Sequence, residues 1–497
     1  MRCILTFPGM LLCSVLWVIS CRETTFSEQV LYVDMDVATS GKTDGSSWER
    51  ACQILEEALV RATNLPKPIE IRVAQGIYKP GYSGSTAEKK RGYSFKLING
   101  VALRGGFAGF GEKDPNARDI TAYRTILSGD HKGDDVSLSR ANDLFHLPNR
   151  SDNSRWVVTS VNADRTAVLE GFTIIGGYHN LAGREDPTGG GGLNNYKGSP
   201  TVIDCTFIGN CVVDAGGAVY NYECPSPLFV RCTFQGNYAR DGGGMFNLRS
   251  NPTLVECVFL GNYAQYMGGG IMNSSSNPTL INCRFVGNIV RHNVEGGGGV
   301  FNLSSKPIMN NCLFVGNVAL VGAGISNSLN SSARVNSCIC WGNLGPAVSG
   351  PADIQYSNIQ GGWPGNGNIN SDPCFASPGH WDTNGMSNDP NDDFWIDGDY
   401  HLKSQAGRWD TATKTWVQDE VTSPCIDAGD PNTPVGFEPF PNGGRINMGA
   451  YGGTAEASKS YFGKPTCETI IAGDINGDCR VDLKDVAIMA GHWLEGH

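Results

Sequence analysis

An excess of basic residues is missing from this sequence. Its 38 Lys and Arg stand against 49 Asp and Glu, a net charge of −11, which argues against a phosphate backbone and so against nucleic acid as a partner. Long apolar runs are missing too: past the first 21 residues none is long enough to span a bilayer as a helix. Helix-forming runs are scarce. Glycine makes up 65 of 497 residues, about 13 per cent against a usual ~7 per cent, yet it lacks the third-residue period of collagen. No Ser/His/Asp set, phosphate-cradling loop or zinc-spaced cysteine group is recognisable, so no motif names a reaction. These absences leave a turn-rich β protein.

The opening stretch, "MRCILTFPGMLLCSVLWVISC", carries one early Arg2, an apolar run through Ile19 and the small Ser20. It reads as an export signal over residues 1–20, too short and wrongly flanked for a spanning helix. Two processing routes fit: cleavage after Ser20, or lipid attachment at Cys21, because "VISC" resembles a lipoprotein box. The mature chain is therefore expected outside the cytosol, free or at the cell surface. Seventeen cysteines in an exported chain would ordinarily suggest a disulfide framework. Six of them have a different explanation.

These six close matching phrases: "PTVIDCTFIGN" from Pro200, "PLFVRCTFQGN" from Pro227, "PTLVECVFLGN" from Pro252, "PTLINCRFVGN" from Pro278, "PIMNNCLFVGN" from Pro307 and "ARVNSCICWGN" from Ala333. Cys205, Cys232, Cys257, Cys283, Cys312 and Cys338 are spaced by 27, 25, 26, 29 and 26 residues. Between them recurs a glycine-led phrase ending in Asn195, Asn221, Asn247, Asn273, Asn302 and Asn327. A period near 26 residues with short β phrases and no helix predicts a solenoid in which each repeat is one coil. Stacked coils place identical positions about 4.8 Å apart. In "INCRF" the alternation predicts Ile281, Cys283 and Phe285 inward, with Asn282 and Arg284 outward. Parallel stacking sets the cysteine Cβ atoms farther apart than a disulfide prefers, so reduced core thiols are expected. The asparagines at the phrase ends suit left-handed corners with amides bonded from coil to coil.

This pattern resembles the right-handed parallel β-helix family of extracellular proteins, with its pectate-lyase-like fold. "GGAV" at Gly216 and "FQGN" at Phe234 are similar to the repeats of chlamydial polymorphic outer-membrane proteins. The resemblance implies an all-β, right-handed parallel β-helix over residues 27–360, most regular over 190–345. It does not choose an activity, because that family includes lyases, glycosidases and adhesins. Near the start, Ser46 or Ser47 is placed to cap an amphipathic helix with Trp48, Cys52, Leu55 and Leu59 on one face. In β-helix families such a helix plugs the first coil. Residues 361–460, rich in Gly, Pro, Asp and Trp, read as a loop-heavy region closing the last coil, where Cys374 and Cys425 are near enough in type and place to pair.

The tail, residues 468–497, carries "GDINGDCRVDLKDVAIMAGHWL". Asp474, Asn476, Asp478, Asp482 and Asp485 fall at positions 1, 3, 5, 9 and 12 of a twelve-residue loop, with the Arg480 carbonyl at position 7, an oxygen set for Ca²⁺. The plain alternative is a solvated acidic turn. This EF-hand-like segment resembles the type I dockerin segment, which implies docking to a cohesin-like surface protein. Cys479 stands where glycine is usual, and one segment is present where dockerins use two.

Two outward columns are candidates for function. The residues preceding the ladder cysteines stack as Asp204, Arg231, Glu256, Asn282, Asn311 and Ser337. Asp204, Arg231 and Glu256 contain the acid and base types that a polysaccharide lyase or glycoside hydrolase needs. A charge ladder is the favoured reading, because Arg231 between the acids would neutralise both. The second column, Tyr220, Phe246, Met272 and Phe301, is expected to point outward from the glycine-led strands. It forms either a stacking platform for sugar rings or a seat for a terminal segment. The expectation is therefore an exported, surface-associated β-helix that binds extracellular polysaccharide or matrix. A polysaccharide-degrading enzyme on the same scaffold is the alternative.

Overall fold

The computed structural model describes residues 29–37, 43–81, 91–136, 141–180, 189–291, 296–382 and 394–461. The export segment, Cys21 and the calcium loop from Asp474 to Asp485 lie outside the described residues.

The first four coils of the repeat region contain four short strands each, and the last two contain three. One coil runs Val219–Tyr222, Leu228–Val230, Thr233–Gln235 and Tyr238–Asp241. Each of these strands pairs in parallel with its copy in the next coil, Val219 with Met245, Leu228 with Thr253, Thr233 with Val258 and Tyr238 with Tyr263. The coils thus build four parallel sheets of nine, eleven, ten and five strands. The expected register holds: Phe207, Phe234, Phe259, Phe285 and Phe314 stack with ring centroids 5.2, 4.5, 4.9 and 4.8 Å apart. Identical rings pack at the strand spacing because parallel pairing allows no other vertical distance.

Between the eleven- and ten-stranded sheets the chain bends at a single residue. Asp204, Arg231, Glu256, Asn282, Asn311 and Ser337 all have φ between 50° and 54°, the left-handed region that turns a strand sharply. This bend corrects the expected alternation. A left-handed residue shifts the inward phase by one position, so Leu280, Cys283 and Phe285 join the main core while Ile281 does not. Ile281 instead faces a groove.

The amide columns form, but not at left-handed positions. Asn195, Asn221, Asn247, Asn273, Asn302 and Asn327 sit inside strands, and each Nδ2 donates to the next Oδ1 at 2.8–2.9 Å. The left-handed residues lie two positions later, at Lys197, Glu223, Arg249, Ser275 and Ser304. A second ladder runs through Asn210, Asn237, Asn262, Asn288, Asn317 and Asn343, with Nδ2 to Oδ1 distances of 2.9–3.1 Å. There the preceding glycine takes the positive φ.

The column cysteines are unpaired and buried, as are Cys52, Cys211, Cys224, Cys340 and Cys425; Cys374 is half-buried and also unpaired. Burial pushes the thiols of Cys205, Cys232, Cys257 and Cys312 well above the usual thiol range. Such thiols are poor nucleophiles. In the folded protein, alkylation followed by peptide mapping is expected to mark Cys374 and spare the column; recovery of a disulfide-linked column pair would contradict this packing.

The expected helix is shorter than its apolar stripe. Trp48–Arg50 is a 3₁₀ turn and the α-helix is Leu55–Asn64, with no side-chain cap from Ser47. Residues between them are held extended because Cys52 exchanges main-chain hydrogen bonds with the first strand, Cys52 N to Tyr32 O and Asp34 N to Cys52 O, both 2.9 Å. Leu55, Ala58, Leu59 and Ala62 still bury into the main core and plug the first coil.

Residues 361–382 and 394–461 do not only close the last coil. Ile369 bridges Asn358 there, but the segment then runs back along the flank of the later coils. Phe375, Tyr400, Leu402, Cys425 and Met448 form one apolar cluster with Val286, Leu313, Val315 and Ile339 of the solenoid.

Candidate functional site

The left-handed column is the rail on which this flank docks. Asn282 Nδ2 donates to the carbonyls of Ala450 at 2.9 Å and Gly452 at 2.7 Å. Asn311 Nδ2 donates to Asn447 O at 2.8 Å, and Ser337 Oγ accepts the Asp430 amide at 2.9 Å. A bend residue projects its side chain away from the core, so three successive coils present short polar groups to the flank's main chain.

Beside the rail, flank and solenoid enclose a groove of about 930 Å³. Its floor is aliphatic, from Val255, Ile281 and Ile308 of the eleven-stranded sheet. Its rim carries Glu256, Asp353, Asp430 and Glu456 with Arg284 and Arg334. Phe437, 62% exposed, and Tyr451 contribute rings. Arg284 donates to the Tyr451 hydroxyl at 3.1 Å, and the buried His401 ring stacks on Tyr451 at 3.7 Å.

His401 is bonded to one acid and approaches a second without a hydrogen bond. Its Nδ1 lies 2.6 Å from Asp399 Oδ1 and its Nε2 lies 3.4 Å from Glu456 Oε2. Burial raises the Asp399 carboxyl, but the His401 side chain and amide, with Arg408, outweigh it and hold the group below the usual carboxylate range. Glu256 moves the other way. Burial raises its carboxyl, Arg231 opposes the rise, and the charges of Asp204 and Glu456 add to it. Glu256 thus brings to the groove a carboxyl biased towards its protonated form, with the charge of Glu456 among the causes.

Of the three residues expected to carry chemistry, only Glu256 lines the groove. Arg231 is engaged by Asp204 through two parallel bonds, Nε to Oδ1 at 2.7 Å and NH2 to Oδ2 at 2.8 Å. This forked geometry occupies both partners. The aromatic stripe is also corrected. Tyr220, Met272 and Phe301 are 8%, 2% and 4% exposed, and Phe246 is half-buried. The cause is local: glycine turns crowd the column, so that a Cβ on Gly189, in the turn of the preceding coil, would lie 2.5 Å from the Tyr220 ring and one on Gly297, in the turn before its own strand, 2.6 Å from Phe301 Cβ. Tyr220 also stacks on Phe246 at 5.5 Å. No sugar platform is presented by this column.

Asp399, His401, Tyr451 and Glu456 were not identified from sequence, because the flank has no period. A signal was present in "GDYHL": Asp399 and His401, two apart on a strand, face the same side.

A family model described as "Right handed beta helix region" matches residues 170–357. With four all-parallel sheets already in place, that decides the winding. The chain folds as a right-handed parallel β-helix. A second family model, "Disaggregatase related", matches residues 348–429, the last coils and part of the flank. Solved structures similar to this β-helix include pectate lyase Pel9A, at 12% identity and TM-score 0.45, over 85% of this chain and 96% of that one. The pectin methylesterase PemA from Erwinia chrysanthemi follows at 12% and 0.29, over 63% and 80%. A rhamnogalacturonan lyase matches at 11% and 0.30, over 70% and 91%. Likeness at such identity does not extend to activity. No curated protein sequence matches the chain. Among the described residues no helix is long and apolar enough to cross a membrane.

Proposed function

We propose that this β-helix binds an extracellular polysaccharide in the groove between its eleven-stranded sheet and the C-terminal flank. The observation that carries the reading is the groove itself: about 930 Å³, an aliphatic floor, and a rim of carboxylates, amides and rings. A volume of this size suits a ligand of several rings. Carboxylates and amides pair with vicinal hydroxyls, while Phe437 and the floor meet the apolar faces of pyranoses. Export through the leading segment, and retention at a surface through a Ca²⁺-loaded loop at Asp474–Asp485 docked to a cohesin-like protein, belong to the same reading.

A second reading, hydrolysis, is favoured by the raised Glu256 carboxyl beside Glu456. A carboxyl raised above the usual carboxylate range near a second carboxylate is the kind of arrangement a glycosidase uses. Uronate-rich and neutral glycans, tested by affinity electrophoresis and by release of reducing or unsaturated ends, separate the two. Binding without new ends, weakened about tenfold in Phe437→Ala, is expected. Retention by no glycan would overturn the binding reading, and new reducing ends without unsaturated products, abolished by Glu256→Gln, would establish hydrolysis in its place.

A further inference from the structure

A second cluster of acids stands far from the groove, in an early coil. One carboxylate oxygen from each of Asp130, Asp134 and Asp152 lies within 4.8 Å of the other two. Oxygens bound to one Ca²⁺ at about 2.4 Å fall within this separation. Asp130 and Asp152 are buried and Asp134 is exposed, so the cluster opens to solvent on one side.

The hydrogen bonds leave specific oxygens bare. Both Asp130 oxygens are held, Oδ1 by the amide of Gly133 at 2.6 Å and Oδ2 by that of Asp135 at 3.1 Å. Asp152 Oδ2 accepts the Lys132 amide at 3.0 Å. Asp152 Oδ1 accepts no hydrogen bond although the residue is only 7% exposed. Its nearest cation, Lys132 Nζ, lies 3.5 Å away on a side chain that is 62% exposed. Buried oxygens without hydrogen bonds also occur at Asp135, Asn149 and Asn153. Asn149 donates its amide to Asp134 O at 2.5 Å, and Asn153 donates to Asp135 Oδ2 at 2.8 Å. Arg150 NH1, 3.6 Å from Asp135 Oδ2, balances one acid. A buried carboxylate oxygen that accepts no hydrogen bond and meets only an exposed lysine at 3.5 Å has its desolvation cost incompletely offset. A cation would relieve it.

We infer that Asp130, Asp134 and Asp152 hold a Ca²⁺ ion, a site separate from the loop at Asp474–Asp485. Every candidate donor is oxygen, which selects a hard cation over zinc or copper. The ion ties the loop after the strand Thr125–Ser128 to the 3₁₀ turn Pro148–Asp152. Between these lies the 3₁₀ segment Ala141–His146, whose Ala141 and Leu144 cover a column of Tyr178, Cys211, Tyr238 and Tyr263. Loading the site therefore fastens the cover of that column.

The test uses the full chain carrying Asp474→Asn and Asp478→Asn, so that the tail loop is silent, titrated with Ca²⁺ by calorimetry. One bound ion is expected. Adding Asp152→Asn is expected to weaken it at least tenfold, whereas adding Lys132→Ala, which removes the competing cation, tightens it up to about fivefold. No binding by the tail-silenced chain overturns the inference. Unchanged or weaker binding in Lys132→Ala also overturns it, and that variant decides the matter if Asp152→Asn fails to fold.

Discussion

Asn262→Ala is expected to lower the stability of the β-helix by about 3–5 kcal/mol, more than most point changes. Asn262 Oδ1 accepts both the main-chain and side-chain N–H of Asn237, at 3.1 and 2.9 Å. Its own Nδ2 donates to Phe234 O at 2.8 Å and Asn288 Oδ1 at 2.9 Å. The residue is fully buried, so no water replaces what alanine removes. The ladder also predicts a graded series. Asn343 touches one neighbouring rung where Asn262 touches two, so Asn343→Ala should cost about half as much. Asn262→Asp should cost more than alanine, because its carboxylate would face the Phe234 and Asn288 oxygens. Equilibrium urea unfolding measures all three; a cost below about 1 kcal/mol for Asn262→Ala would show that the ladder does not hold the coils.

The second large effect is a pH dependence in the flank. Glu438 is 6% exposed, and its Oε1 accepts the amides of Asn447 and Gly453, both at 2.8 Å, while Oε2 has no partner. Burial pushes its carboxyl up to about 8, with the two amides opposing and Asp427 adding. A carboxyl whose folded value exceeds its unfolded value binds more protons when folded, so its stabilisation is complete below about pH 4.5 and is lost as pH rises towards 8. The loss across that window is on the order of 3–5 kcal/mol. Glu438→Gln cannot ionise and keeps an oxygen for both amides. Urea midpoints followed by tryptophan fluorescence should therefore fall from pH 5 to pH 8 in the wild type and stay nearly level in the variant. Equal slopes would remove Glu438 as the cause. Because Asn447 and Gly453 border the rail and groove, the same titration is expected to weaken glycan binding at high pH.

The solenoid was legible because repetition is its cause. Parallel pairing brings each residue over its equivalent in the next coil, so the phrases around Cys232, Cys257 and Cys283 record their own neighbours. The bend at Asp204, Arg231 and Glu256 was hidden, since none of these side chains marks a left-handed position as glycine does. Its trace is the doubled apolar pair before it, Val202–Ile203, Leu254–Val255 and Leu280–Ile281, which strict alternation does not allow. The covered flank left a trace too. Outward positions held by Thr206 and Thr233 in early coils become Leu313 and Ile339 in later ones, and these are buried under the C-terminal segment.

By itself, the sequence determined the period, the register and the identity of the stacked columns, because a solenoid's contacts join equivalent residues of neighbouring copies. Only the tertiary structure decided which outward column is a surface. Tyr220 lies under the glycine turn of the preceding coil and Phe301 against its own, and Glu256 enters a groove because a non-repeating segment lands beside it. Asn282 meets Gly452 across 170 positions, and a contact between a repeat and a non-repeat leaves no period to read.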